Sequence, residues 1–166
     1  MKISMMCFAL AAAGAPMMAG TASAQGLVAE PRLSSTLVVE ALGAAVEACA
    51  KQGYKVTAVI VDTDGVRQGV LRGDGASIHT MDSSFLKAYT SVTYREDTID
   101  LSERLKDGQM APLQTKLPNV AIAAGGVALK VNGATIGVIG VGGAPGGDKD
   151  TVCARAAVDK IKDRMK

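Results

Sequence analysis

The sequence predicts an α+β sandwich in which a five-stranded antiparallel sheet is flanked by helices. Three observations carry this expectation. Asn132-Gly133, set between two β-branched runs, is the strongest hairpin signal in the chain. Asp62-Thr63-Asp64-Gly65 marks another tight turn between apolar runs. Helical patterns precede, separate and follow the two strand groups. A doubly wound parallel fold would instead alternate single strands with helices.

The elements follow in order. Ser34 or Ser35 caps a helix running to about Gln52, with Leu37, Ala41, Ala44/Ala45 and Ala48 at helical spacing and Gly53 as its stop. Val56 to Asp62 is a buried strand, and Val66 to Arg72 is its hairpin partner. Gly73-Asp74-Gly75 closes that unit. A second helix spans Asp82 to about Tyr94, capped by Thr80 or Asp82, with Phe85, Ala88, Tyr89 and Val92 on one face. A short helical turn covers Leu101 to Lys106, and a loop continues through Pro112 and Pro118. Val120 to Ala124, Val127 to Val131 and Thr135 to Val141 read as three further strands. Gly142 to Gly147 is a loop, and Asp148 to Met165 is the last helix, with Val152, Ala156 and Ile161 near one stripe.

The chain has 166 residues, 48% of them hydrophobic and 20% charged, which is one domain with a packed core rather than a disordered chain. A net charge of +2 with no Trp and five aromatic rings gives neither the basic surface nor the stacking platforms of a nucleic-acid binder. Residues 1–24 read as a secretory signal peptide. Lys2 is followed by an apolar, Ala- and Gly-rich run and an Ala22-Ser23-Ala24 cleavage site. The run is too short to be a good membrane span. Residues 25–166 then form a single domain, released to the periplasm or secreted after cleavage near Ala24.

Export leaves Cys49 and Cys153 in an oxidising compartment. A disulfide between them is one reading and two buried thiols the other, and sequence leaves both standing. No CxxC or Cys/His cluster is present, which argues against structural zinc and attached c-type haem.

Gly137, Gly140, Gly142, Gly143, Gly146 and Gly147 superficially suggest a phosphate loop. The Gly-Lys-Ser/Thr ending and the parallel βαβ context are missing, so close backbone packing plus a turn is the favoured reading. A milder reading survives: the loop at Gly142, Gly143 and Gly146 leads into a helix whose free N–H groups could hold a carboxylate. Asp62, Asp64, Asp74 and Asp82 fit turns and caps better than a calcium loop. His79 is the only histidine, which excludes a zinc site or a Ser-His-Asp relay built on histidine but permits one axial bond to haem iron. No catalytic set is evident.

Four ordered segments carry a resemblance. They are Val59-Ile-Val-Asp-Thr-Asp-Gly65, Leu71-Arg-Gly-Asp-Gly-Ala76 with Lys87-Ala-Tyr-Thr90, Gly125-Gly-Val-Ala-Leu129, and Ile136-Gly-Val-Ile-Gly-Val-Gly-Gly-Ala144 with Asp150 and Cys153-Ala154. Together they resemble the GlcG/HbpS family of haem-binding proteins, related to the C-terminal domain of the PduO adenosyltransferases, over about Leu33 to Lys162. The resemblance implies a profilin/PAS-like fold with a five-stranded sheet and homo-oligomers from dimer to octamer. It also implies haem as cofactor, with roles in haem or iron handling, haem breakdown, or redox sensing beside a membrane sensor or redox partner. Where the family often has Gly-Val-Ser-Gly, this chain has Gly140-Val141-Gly142-Gly143, which removes a hydroxyl from the loop.

The haem reading places His79 as iron ligand, with Met81, or less favourably Met110, as a second. Ile78, Met81, Phe85 and Tyr89 would form the walls. Arg72, Lys87 and Arg95 are candidates for the propionates. The alternative is an accessory protein binding a small organic carboxylate, without haem, through the Gly142–Gly147 loop and Arg72.

Overall fold

The computed structural model describes residue 26 and residues 28–165; the expected signal peptide lies outside the described residues. Helix α1 (Ser35–Ala50) starts at Ser34, whose hydroxyl accepts from the Leu37 N–H. Strands β1 (Thr57–Val61) and β2 (Arg67–Arg72) form the first hairpin. Helices α2 (Thr80–Tyr94) and α3 (Thr98–Lys106) follow. Strands β3 (Gly126–Val131) and β4 (Ala134–Gly142) form the second hairpin, and helix α4 (Gly147–Ile161) ends in a 3-10 turn. Among the described residues no helix is long and apolar enough to cross a membrane.

The sheet is antiparallel in the order β2-β1-β4-β3, so among the described residues it has four strands rather than the expected five. Residues 120–124 are irregular chain, not the expected strand. The reason lies at the outer edge of β3. There the Gly126 N–H donates to Thr98 Oγ1 at 2.8 Å and the Ala128 N–H donates to Asp97 Oδ1 at 2.9 Å. The start of α3 therefore takes the hydrogen bonds that a fifth strand would have needed. The displaced segment is held instead by α2, through the Ala121 N–H donating to Thr90 Oγ1 at 2.8 Å.

Paired residues of neighbouring strands share a face of a sheet. Helices α1 and α4 cover one face, packing Val38, Leu42 and Ile161 against Ile60, Leu129 and Ile139. Helix α2 covers the other, with Ala88 and Val92 on Val59, Val61 and Val138. In α1 the buried residues are Val38, Ala41, Leu42, Ala45 and Cys49, and in α4 the stripe runs through Cys153, Ala154, Ala157 and Ile161. Val152, expected in that stripe, is exposed. Cys49 and Cys153 form a disulfide that joins α1 to α4 with their sulfurs 2.07 Å apart.

Glycines set how closely α2 approaches the sheet. A methyl group on Gly140 would lie 2.1 Å from the Ser84 carbonyl oxygen, and one on Gly126 would lie 2.5 Å from that of Lys87. One on Gly142 would meet the hydroxyls of Ser83 and Ser84 at 2.8 and 3.0 Å. The helix thus rests on β3 and β4 almost backbone to backbone, and its buried face carries Thr80, Ser84, Ala88 and Ser91. The glycine run is a packing track, as its close spacing on a hairpin strand suggested. The hydroxyl absent at position 142 has its space taken by the two helix serines.

Gly140→Ala is therefore expected to cost about 3 kcal/mol or more, because backbone rather than a flexible side chain must move. Urea unfolding of the variant against the parent measures it. Replacing both Cys49 and Cys153 by Ala removes a cross-link across 104 residues and is expected to cost about 4 kcal/mol, read in the same assay.

Candidate functional site

The expected site residues divide into two groups on either flank of α2. Met81, Phe85 and Tyr89 recur at four-residue spacing along the flank facing β2. Phe85 packs on the cluster of Val59 and Ala88, and the Arg67 guanidinium lies 3.5 Å from the centre of its ring. Val70 pairs with Val59, and Arg72 pairs with Thr57, which donates its hydroxyl to Thr80 of α2 at 2.7 Å. Arg72 and Val70 therefore project on the α2 side of the sheet.

This side of β2 is left open because α2 sits over the glycines of β4 and β3. Val70 is 40% and Met81 37% exposed, and Ile78 beside them is 70% exposed. Strand β2 has no partner on its outer edge among the described residues. The result is an apolar strip in which Val70, Ile78 and Met81 are exposed and Phe85 is half-buried beneath the Arg67 guanidinium, with Arg72 at its border. His79, also exposed, precedes the first residue of α2 and makes no side-chain capping bond. It lies at the strip's end rather than within the Met81-Phe85-Tyr89 stripe.

Lys87 belongs to the opposite flank. It is buried, and its ammonium donates to Asp150 Oδ2 at 2.7 Å and to the Val141 carbonyl at 3.1 Å. Burial pushes the Asp150 carboxyl up from its ordinary value, while Lys87 and the Ala144 N–H, which donates to Asp150 Oδ1 at 3.0 Å, pull it back. The pair ties α2 to β4, to the loop after it and to α4. Lys87 also lines a cleft of about 480 Å³ that Ile99, Lys106 and the first residues of α4 enclose. Lys87 thus cannot share a propionate with Arg72 across α2. Asp150 carried no chemical signal in isolation; its place in the first turn of a helix and its place in the fourth segment of the family resemblance were the hints.

Arg95 stands at the far end of α2, in left-handed backbone with φ 55°, well removed from His79. Met110 is a buried loop residue. In the expected carboxylate loop Gly142 is buried, while Gly143 and Gly146 are exposed. A methyl group on Gly143 would strike the Lys55 carbonyl at 2.6 Å, and one on Gly147 the Ala124 carbonyl at 2.6 Å. Arg72 and Gly142 flank the same residue, Thr57, from opposite sides, with the start of α2 between them. The structure does not assemble them into one pocket.

An α+β sandwich with an uncovered, arginine-bordered apolar strip beside a single histidine is the class of molecule that this geometry defines. The chain belongs to the HbpS-like family, whose model, described as haem degrading protein HbpS-like, matches residues 33–159. A crystal structure of a double mutant of Streptomyces reticuli HbpS is 36% identical, covers 89% of this chain and 97% of that one, and superposes with a TM-score of 0.76. A crystal structure of a PduOC–haem complex is 28% identical over 79% of this chain and 96% of that one, with a TM-score of 0.72. An uncharacterized 15.0 kDa protein of Citrobacter freundii is 31% identical over 102 residues, which is 60% of this chain and 71% of the relative.

The buried pair yields a test of its own. Lys87→Met strands the Asp150 carboxylate and is expected to cost about 3–5 kcal/mol, whereas Lys87→Met with Asp150→Leu should recover most of that loss. Denaturant unfolding of the parent, the single and the double variant measures both effects.

Proposed function

We propose that this protein is an exported haem-binding protein that serves haem or iron handling or redox sensing. Haem lies on the strip between α2 and β2, with His79 as axial ligand. The observation that carries this reading is the open strip itself: apolar groups from Val70, Ile78, Met81 and Phe85 for the macrocycle, with an exposed imidazole at one end. Arg72, which forms no ion pair among the described residues, is placed to receive a propionate through a charge-assisted hydrogen bond. Arg67, already stacked on Phe85, borders the same strip.

The donor set fits the group. Haem needs only one or two protein donors to its iron, and an imidazole is among the commonest. Met81 stands two residues beyond His79 on helical backbone, so the two side chains diverge and Met81 serves as a wall rather than as a second donor. When bound, haem supplies a redox-active iron. The chain's own contribution is to hold the macrocycle against apolar side chains, to fix its propionates with arginine, and to present one nitrogen to the metal. Membership of the HbpS-like family and the similarity to a protein solved with haem support the same reading.

A strip this open covers only one side of a macrocycle. The active form is accordingly a homo-oligomer, in which further protein closes the face along β2. A membrane sensor or a redox protein is the partner expected of the sensing role, and the leader expected in residues 1–24 would deliver the protein to the periplasm or the medium.

Hemin titration of residues 25–166, followed by absorbance, tests the proposal. The parent should give a sharp, saturable Soret band. His79→Ala should shift that band and weaken affinity at least about tenfold, equivalent to about 1.4 kcal/mol. A sharp band that the substitution leaves unchanged would move the ligand to Met81 or Tyr89. No saturable band in either protein would overturn the haem reading.

A further inference from the structure

The end of the sheet away from His79 holds a second cleft, of about 470 Å³. The β1–β2 turn, the C-terminal end of α2, the β3–β4 hairpin and the segment at Glu30-Pro31 enclose it. Its apolar wall comes from Val92 and Ile136, both almost fully buried.

The charged groups around this cleft are asymmetric in their engagement. Glu30 accepts a hydrogen bond from the Thr63 hydroxyl at 2.8 Å, and Asp64 accepts one from the Arg32 guanidinium at 2.6 Å. Arg95 and Lys130, which both line the cleft, have no ion-pair or hydrogen-bond partner among the described residues. The acids are engaged locally, and the two cations remain free to meet a ligand. Arg95 is also one of only three described non-glycine residues with positive φ, the other two being asparagines. Asparagine adopts that conformation readily, whereas a long side chain does so at some cost. Here it fixes Arg95 where α2 ends and the cleft begins.

We infer that this cleft binds a small organic carboxylate. Its carboxylate groups are held between Arg95 and Lys130, and its carbon body lies on Val92 and Ile136. Guanidinium grips a carboxylate through two parallel hydrogen bonds and ammonium adds a compact charge, a pairing suited to a short dicarboxylate. A concave site with an apolar wall and a few convergent polar groups is the usual form of a small-molecule site. The inference is independent of haem, since no residue of this cleft contributes to the strip along β2.

Succinate titration of 15N-labelled protein, residues 25–166, tests it by amide chemical shifts. The expected result is saturable movement of the Thr63, Gly133 and Thr135 amides, weakened at least tenfold in Arg95→Gln and again in Lys130→Gln. The spectra of the same variants report whether each remains folded. Movement that chloride reproduces at equal ionic strength, that never saturates, or that survives in the double variant would overturn the proposal. Hemin binding followed in the double variant should be unchanged; its loss would place both cations in the haem site and overturn a separate carboxylate cleft.

Discussion

The rest of the molecule depends on how closely α2 can approach the sheet. Gly126, Gly140 and Gly142 allow the helix backbone to lie against β3 and β4 with no side chain between them. Across the same face the row continues through Val59 and Val70, which are bulky. The face is therefore low under β4 and β3 and high under β1 and β2. A helix that settles into the low side leaves the high side uncovered. The exposed strip along β2 and the buried polar face of α2 have one cause.

Close packing also explains the buried ion pair. A helix this near to β4 brings Lys87 under the loop that leaves the sheet, where bulk water cannot solvate its ammonium. Asp150 and the Val141 carbonyl replace that water. The second carboxylate oxygen of Asp150 accepts from the Ala144 N–H, so one side chain holds both the lysine and the loop. Such a pair adds little net stability over an apolar equivalent, because desolvation offsets most of its Coulomb attraction. Its consequence is geometric: β4, the loop and α4 are fixed relative to α2.

The two clefts and the strip lie on different flanks of α2, and that separation bears on function. The strip is apolar, with arginine at its border and the exposed His79 imidazole at its end. The cleft at the far end of the sheet is lined by Glu30 and Asp64 and by Arg95 and Lys130, the two cations being unpaired among the described residues. One helix thus carries exposed His79 at its start and exposed Arg95 at its end. The disulfide between α1 and α4 joins the two helices that cover the opposite face.

Much of this was legible in the chain itself. Turn chemistry at Asp62–Gly65 and Asn132-Gly133, and helical periodicity around them, determined two hairpins and their flanking helices, because those signals are local. The four-part resemblance determined the family. Local signals could not say that residues 120–124 stay out of the sheet, since the N–H groups of β3 are claimed by Thr98 and Asp97 from a distant helix. Nor could they phase α2. Its large aromatic residues Phe85 and Tyr89 lie on the open flank, while serines, threonines and a lysine face the glycines. Periodicity ranks residues by hydrophobicity, but a glycine track rewards small side chains whatever their polarity. Which flank of α2 faces solvent, and hence that Lys87 and Arg72 serve different places, was decided only when helix and sheet met.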